Sequence, residues 1–283
     1  MSIRIITDSA SDISQFEARQ MGIDVLPLKT LFGTEEYRDG IDLSHEGFYH
    51  KLIESDVLPT TSQPTPFAFG EVFEEAVQAG DTVVCITVSS KLSGTYQSAC
   101  IAAEDYPGKV FVVDGQTVAI GSGLLVEHAL QLAAQGLSAQ AIAEEIAEKR
   151  GKVHVLALVD TLEYLKKGGR ISSAVAFAGG VLNIKPVITL TGGEIRMLGK
   201  ARGSRQANNL LVQEIEKAGG VDFDKPLLLG YTGLSDALLR KYIDDSARLW
   251  EGYRKELPVC AVGSVVGTHV GPGAVAVAFF AAE

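Results

Sequence analysis

The chain is poor in cysteine, nearly without tryptophan, short of positive charge and without a long apolar run, and each shortage removes a class of function. Three cysteines, Cys85, Cys100 and Cys260, are an odd set without metal spacing, set in apolar stretches. They read as reduced core residues of a cytoplasmic protein, not as a disulfide framework or a metal site. Lysine and arginine number 25 against 35 aspartates and glutamates, a net charge of −10. That sign excludes general nucleic-acid and anionic-membrane binding, both of which need a dominant basic surface. The longest uninterrupted apolar run, Ala274 to Ala282, is far short of the roughly 20 residues of a membrane span. The opening residues Met1 to Ile6 run straight into a strand pattern, so no signal peptide is expected.

Several catalytic signatures are also missing. No phosphate loop of the Walker type occurs, and Gly121–Ser122–Gly123–Leu124 fails the dinucleotide fingerprint. The stretch from His45 to His50 is one residue too long for a zinc-protease helix. Ser93–Gly94 lacks the first glycine of a hydrolase elbow, because position 91 is Lys. A Ser93/His269/Asp114 triad stays open, since triads are defined by geometry and not by order. A serine-type lipid ester hydrolase using Ser93 and His269 is therefore the alternative reading.

What is present is an alternation of strands and helices over 283 residues, enough for two domains. Asp81 to Ser89 is a β-branched strand pattern that passes through Ser90–Lys91–Leu92–Ser93 into a helix from Gly94. Such a turn aims free N–H groups and the positive helix end at one point, which makes either an anion site or a plain capped turn. Ile3 to Ile6 is a strand that runs into Thr7 to Asp12, with Ser11 or Asp12 as cap of the next helix. Ser44 caps a helix that ends near Ser55, Thr65–Pro66 begins another, and Ser138 caps a third that ends near Arg150. The stretch Thr60–Thr61–Ser62–Gln63 lies between prolines, which hold it extended. It is either a braced connection or part of a site.

The repeated strand–helix order predicts an α/β fold with a mostly parallel N-terminal sheet covered by helices on both faces. Asp8–Ser9, Ser89 to Ser93 and Asp114 all fall at strand carboxyl ends, where ligands bind in such sheets. From Val153 onward, hairpin signals mix with helices, so the second domain, 153–283, should carry a mixed or antiparallel sheet. Thr191–Gly192–Gly193 marks one hairpin, and Cys260 to Val266 pairs with Ala274 to Phe280 across a glycine-rich loop holding His269. An apolar helix should run from Arg170 to Gly180. Between Tyr164 and Arg205 stand eight basic residues and one acid, Glu194. That run is either a docking surface for an acidic or phosphorylated partner or a solvated basic face.

Six stretches, in order, resemble the DegV family: Thr7–Asp12, Thr60–Pro64, Ser89–Ala99, Leu162–Ser172, Ile184–Pro186 and Gly267–Gly273. The resemblance spans essentially the whole chain. It implies two α/β domains, 1–152 and 153–283, that bury one long-chain fatty acid such as palmitate or oleate between them. It also implies a carrier, not an enzyme: no cofactor, no metal, no stable membrane insertion, and a partner fatty acid kinase that phosphorylates the presented carboxylate. By the same resemblance Thr61, Ser62, Ser93 and the Gly94 backbone hold the carboxylate. His269 stands beside them, Arg170 belongs to a Gly-Gly-Arg motif near the head group, and Arg202 and Arg205 face the kinase. A third reading, by analogy with dihydroxyacetone kinases, is a small-molecule kinase subunit whose nucleotide comes from a partner. Lys91 and Gly115 depart from the family's commoner glycine and serine, which leaves acyl-chain preference open.

Overall fold

A computed structural model describes residues 2–171 and 184–282. The first sheet is parallel throughout, in the order β2-β1-β6-β7, with β1 Ile3–Asp8, β2 Asp24–Leu26, β6 Thr82–Thr87 and β7 Val110–Asp114. Successive residues of a strand face opposite ways, and here both faces are apolar. Ile6, Val83 and Cys85 pack with Phe69, Phe73 and Ala99 of α3 (Pro66–Gln78) and α4 (Thr95–Ala103). Ile5, Val84 and Ile86 pack with Leu124 and Ile142 of α5 (Ile120–Ala134) and α6 (Ala139–Lys149).

The second sheet is mixed, in the order β10-β9-β8-β13-β11-β12. Its strands are β8 Val153–Leu158, β9 Ile184–Thr191, β10 Glu194–Arg202, β11 Leu227–Tyr231, β12 Val259–Ala261 and β13 Val275–Phe280. One face meets α5, so that helix is shared by both sheets. The other face, Leu156, Val187, Leu229 and Phe279, is covered by Leu211 and Ile215 of α8 (Gly203–Lys217) and Tyr242 of α9 (Ala237–Asp245). A small antiparallel sheet, β4-β3-β5, with β3 Lys29–Phe32, β4 Glu35–Arg38 and β5 Thr60–Ser62, completes the first half.

Helix caps follow the sequence at Ser44, Thr65 and Ser138, whose side-chain oxygens accept from Gly47, Ala68 and Ala141 N–H groups. They open α2 (His45–Glu54), α3 and α6. The first helix differs. Ser14, not Ser11 or Asp12, caps α1 (Gln15–Met21) in a capping box with Glu17. Ser9–Ser11 form a 3-10 turn capped by Asp8, and Asp12 leaves it with φ +59°.

The C-terminal hairpin expected between Cys260–Val266 and Ala274–Phe280 does not form. Strand β12 pairs parallel with β11, whose other edge takes β13 antiparallel. Parallel addition needs a crossover, which the segment with α9 supplies between β11 and β12, and Ser264–Val270, between β12 and β13, form α10, so His269 lies on a helix and not in a loop. The helix expected from Arg170 to Gly180 lies outside the described residues beyond Ile171.

Glycines in two helices separate packing from propensity. A Cβ at Gly121 in α5 would collide with Val155 and Thr117, whereas one at Gly70 in α3 would meet nothing within 4 Å. Gly70→Ala should stabilise the fold by about 0.5–1 kcal/mol through propensity and lost unfolded-state freedom. Gly121→Ala should destabilise it by about 1–3 kcal/mol through overpacking. Urea unfolding midpoints check both signs.

Candidate functional site

The exits of the parallel strands are tied down by side chains. Asp8 Oδ1 accepts from Ala10 N at 3.0 Å, and its Oδ2 accepts from Val88 N at 2.7 Å, joining the ends of β1 and β6. Burial raises this carboxyl's pKa to about 7. Ser89 Oγ donates to Gly193 O of the β9–β10 turn at 2.8 Å, and Ser90 binds Asp114 through N (3.0 Å) and Oγ (2.6 Å). The loop is thus fixed before Ser93, whose Oγ shares a hydrogen with Thr95 Oγ1 at 2.9 Å and accepts from Thr95 N at 3.3 Å.

Two further elements bring polar groups to Ser93. In β5, paired with β3 through Thr30↔Thr61, side chains alternate, so Thr61 turns inward while Thr60 and Ser62 are exposed. In α10, His269 places Nε2 2.8 Å from Thr61 Oγ1. Residue 168 has to be glycine for this, because a Cβ there would overlap His269 Nδ1. Burial, and then the charge of Arg170, lower the His269 pKa to about 4, so the ring is neutral at physiological pH. Arg170 follows α7 (Glu163–Lys167) and donates from Nη1 to Gly168 O at 2.6 Å and from Nε to Leu92 O at 3.2 Å. It is half-buried, and burial lowers its pKa from the ordinary guanidinium value.

These groups face a cavity of about 480 Å³ whose other walls include Leu28, Val88, Leu92, Leu165 and Val265. Among the described residues, its polar side chains are Thr61, Ser93, Arg170 and His269. A second chamber of about 520 Å³ adjoins it, with Val118, Ile195, Val266 and Val270 as common walls. That chamber is lined by residues such as Ala157, Ile188, Ala274 and Ala276. Two of its hydroxyls are engaged within the protein: Thr189 donates to Val155 O, and Thr232 accepts from Ala274 N. The shape and lining suit a long apolar chain that ends in one acceptor-rich group.

Of the residues expected at the site, Thr61, Ser93, Arg170 and His269 come together. Ser62 is exposed and does not line the cavity, because strand alternation turns it away from Thr61. Gly94 is the N-cap of α4 and leaves room for the Gln63 side chain, but it does not line the cavity. Arg202 and Arg205 are exposed where β10 passes into α8. The basic run divides: Arg170 turns toward the cavity, Lys185 pairs with Asp160, Lys167 with Glu163, and Arg196 with Glu194. Asp39 was not anticipated. It is buried and accepts from Ser264 N and Oγ at 2.9 and 2.6 Å. A lone Asp after a short strand carries no signal of that partner 225 residues away.

The state of His269 is testable. A histidine with a lowered folded pKa costs stability on acidification, because the unfolded chain takes the proton first. The His269 contribution to stability should therefore fall between about pH 6.5 and pH 4, read as the difference between the parent and His269→Gln. The imidazole NMR shifts of His269 should titrate near 4; a midpoint near 6.5 would show an exposed ring.

Comparison with known proteins gives the same picture. Residues 2–282 match the DegV family. A DegV domain-containing protein of Caldanaerobacter subterraneus is 34% identical over 283 residues, covering 98% of each chain. A DegV family protein from Thermus thermophilus, described as binding fatty acid, superposes with a TM-score of 0.88 at 34% identity, covering 99% of this chain and all of that one. A stearic acid-binding protein from Eubacterium ventriosum gives 0.87 at 27% identity, covering 98% and 97%. The chain belongs to the DegV family.

Proposed function

We propose that the protein is a carrier of one long-chain fatty acid. The acyl chain occupies the two adjoining chambers, and the carboxylate lies among Thr61, Ser93, Arg170 and His269. The observation that carries this reading is the cluster of Thr61, Ser93, Arg170 and His269 in one chamber, while Thr189 and Thr232 of the adjoining chamber are engaged within the protein. Each CH₂ taken from water contributes about 0.8 kcal/mol, but the carboxylate cannot be buried unpaired. With neutral His269 donating from Nε2 to Thr61 Oγ1, the threonine hydroxyl hydrogen is free for the ligand. Ser93 Oγ supplies a second donor and Arg170 a cation, each a charge-assisted bond.

The bonding of Ser93 favours binding over ester hydrolysis. A nucleophilic serine is activated by a base within hydrogen-bond reach, whereas Ser93 bonds to Thr95 and His269 to Thr61. We further propose that the carboxylate is presented to a fatty acid kinase, which forms the acyl phosphate, and that exposed Arg202 and Arg205 dock that partner from the cytoplasmic side of metabolism.

Denaturing the purified protein and analysing the extract by mass spectrometry should release about one fatty acid per chain. A protein that comes out empty and ignores added palmitate and oleate would refute the carrier reading. Ser93→Ala and Thr61→Val should each weaken fatty acid binding about tenfold, the worth of one hydrogen bond to a charged group, with no ester turnover in the parent. In a pull-down with the kinase, Arg202→Ala/Arg205→Ala should lose the partner while keeping the lipid; retained partner would remove these arginines from the interface.

A further inference from the structure

The helix that carries His269 is held at its start by the other half of the molecule. Cys260 Sγ lies 3.5 Å from Asp12 O, and Asp12 Oδ1 accepts from Gly263 N at 2.9 Å. Asp39 Oδ1 accepts from both N and Oγ of Ser264, and Thr30 Oγ1 lies 2.9 Å from the same Ser264 Oγ. His45 turns its two ring nitrogens to Val262 O (3.1 Å) and Gly233 O (2.8 Å), and Tyr49 donates to Val262 O at 3.2 Å. Every one of these side-chain partners of residues 262–264 lies between Asp12 and Tyr49. Asp12 and Asp39 are buried, and they carry no cation of their own in an ion pair among the described residues.

Helix geometry turns this anchorage into a statement about the site. A helix advances 100° and 1.5 Å per residue, so a slip of one residue at Gly263–Ser264 would swing His269 away from Thr61. Along the helix, Tyr49 and Phe48 fill the space a side chain at Gly267 would need, and Tyr164 does so at Gly271. Those are lateral packing contacts, which tolerate small rotations that directed hydrogen bonds do not. From the same anchored start, α10 sends Val265, Val266, His269 and Val270 into the cavity.

We propose that Asp12 and Asp39 are positioning residues: they bind the first N–H groups of α10 across the two halves and so fix His269 against Thr61. The head-group site then forms only when the two halves are engaged. This rests on the fatty acid reading above, and the two fail differently.

The test compares palmitate with hexadecanol, which has the same chain and no carboxylate. The parent should prefer the acid by at least about tenfold; no preference would sink the fatty acid reading itself. Given that preference, Asp39→Ala should cut the acid-to-alcohol ratio by about tenfold while changing hexadecanol affinity little, and Asp39→Asn, which keeps an acceptor oxygen, should restore most of it. In a His269→Ala background, Asp39→Ala should leave the ratio unchanged. Equal loss for acid and alcohol would make Asp39 a general structural residue and overturn the proposal. If Asp39→Ala does not fold, Ser264→Ala removes the hydroxyl shared by Asp39 and Thr30 and should lower the ratio in the same direction; an unaltered ratio there would also count against it.

Discussion

The constraint on which the proposed reading of this structure depends is a carboxylate that must leave water. An acyl chain gains from burial at any apolar surface, but its charged end loses several kcal/mol unless donors replace the water it gives up. In the proposed reading the donors are side chains from elements far apart in sequence: Thr61 on a short strand, Ser93 before a helix, Arg170 after one, and His269 on α10. The hydrogen bond between Thr61 and His269 is central, because it joins the two halves at the place where the ligand's charge would sit. Apart from Ser93 and Arg170 the cavity around it is walled by apolar residues, and burial, with the charge of Arg170, keeps the imidazole neutral.

The same burial creates a second set of constraints. Asp8, Asp12 and Asp39 are all buried, and desolvation raises the pKa of each. Asp8 is satisfied by backbone N–H groups at strand ends and Asp39 accepts from Ser264 N, while Asp12 accepts from Gly263 N through Oδ1 and leaves Oδ2 buried without a partner among the described residues. A buried acid without a cation costs stability, more so as pH rises toward its shifted pKa. Its presence at the junction of the halves marks a place where position is held at the expense of stability. Arg170, which also lines the cavity, ties Leu92 and Gly168 together from the other side.

Much of the fold can be read from local chemistry. Ser44, Thr65–Pro66 and Ser138 name their helices because capping depends on neighbours in sequence, and Thr191–Gly192–Gly193 names its hairpin for the same reason. Sequence is less informative where a residue answers to a distant partner. Gly267 and Gly271 look like loop glycines beside His269, but Gly267 lies on α10 and makes room for Tyr49 and Phe48, and Gly271 caps that helix against Tyr164. Asp12 resembles a cap for α1, yet its carboxylate serves Gly263. Of the candidate site, the motif residues Thr61, Ser93, Arg170 and His269 were legible. The outward turn of Ser62 depends on the register of β5 against β3, and the role of Asp39 on a contact 225 residues away.

The most direct measurement of the central claim is the NMR spectrum of palmitate labelled with ¹³C at the carboxyl carbon and bound to the protein. One sharp resonance, distinct from free or micellar palmitate and shifted by His269→Ala and by Thr61→Val, is the expected result. A resonance at the free position, or one indifferent to both substitutions, would mean that the carboxylate does not sit at the Thr61–His269 pair.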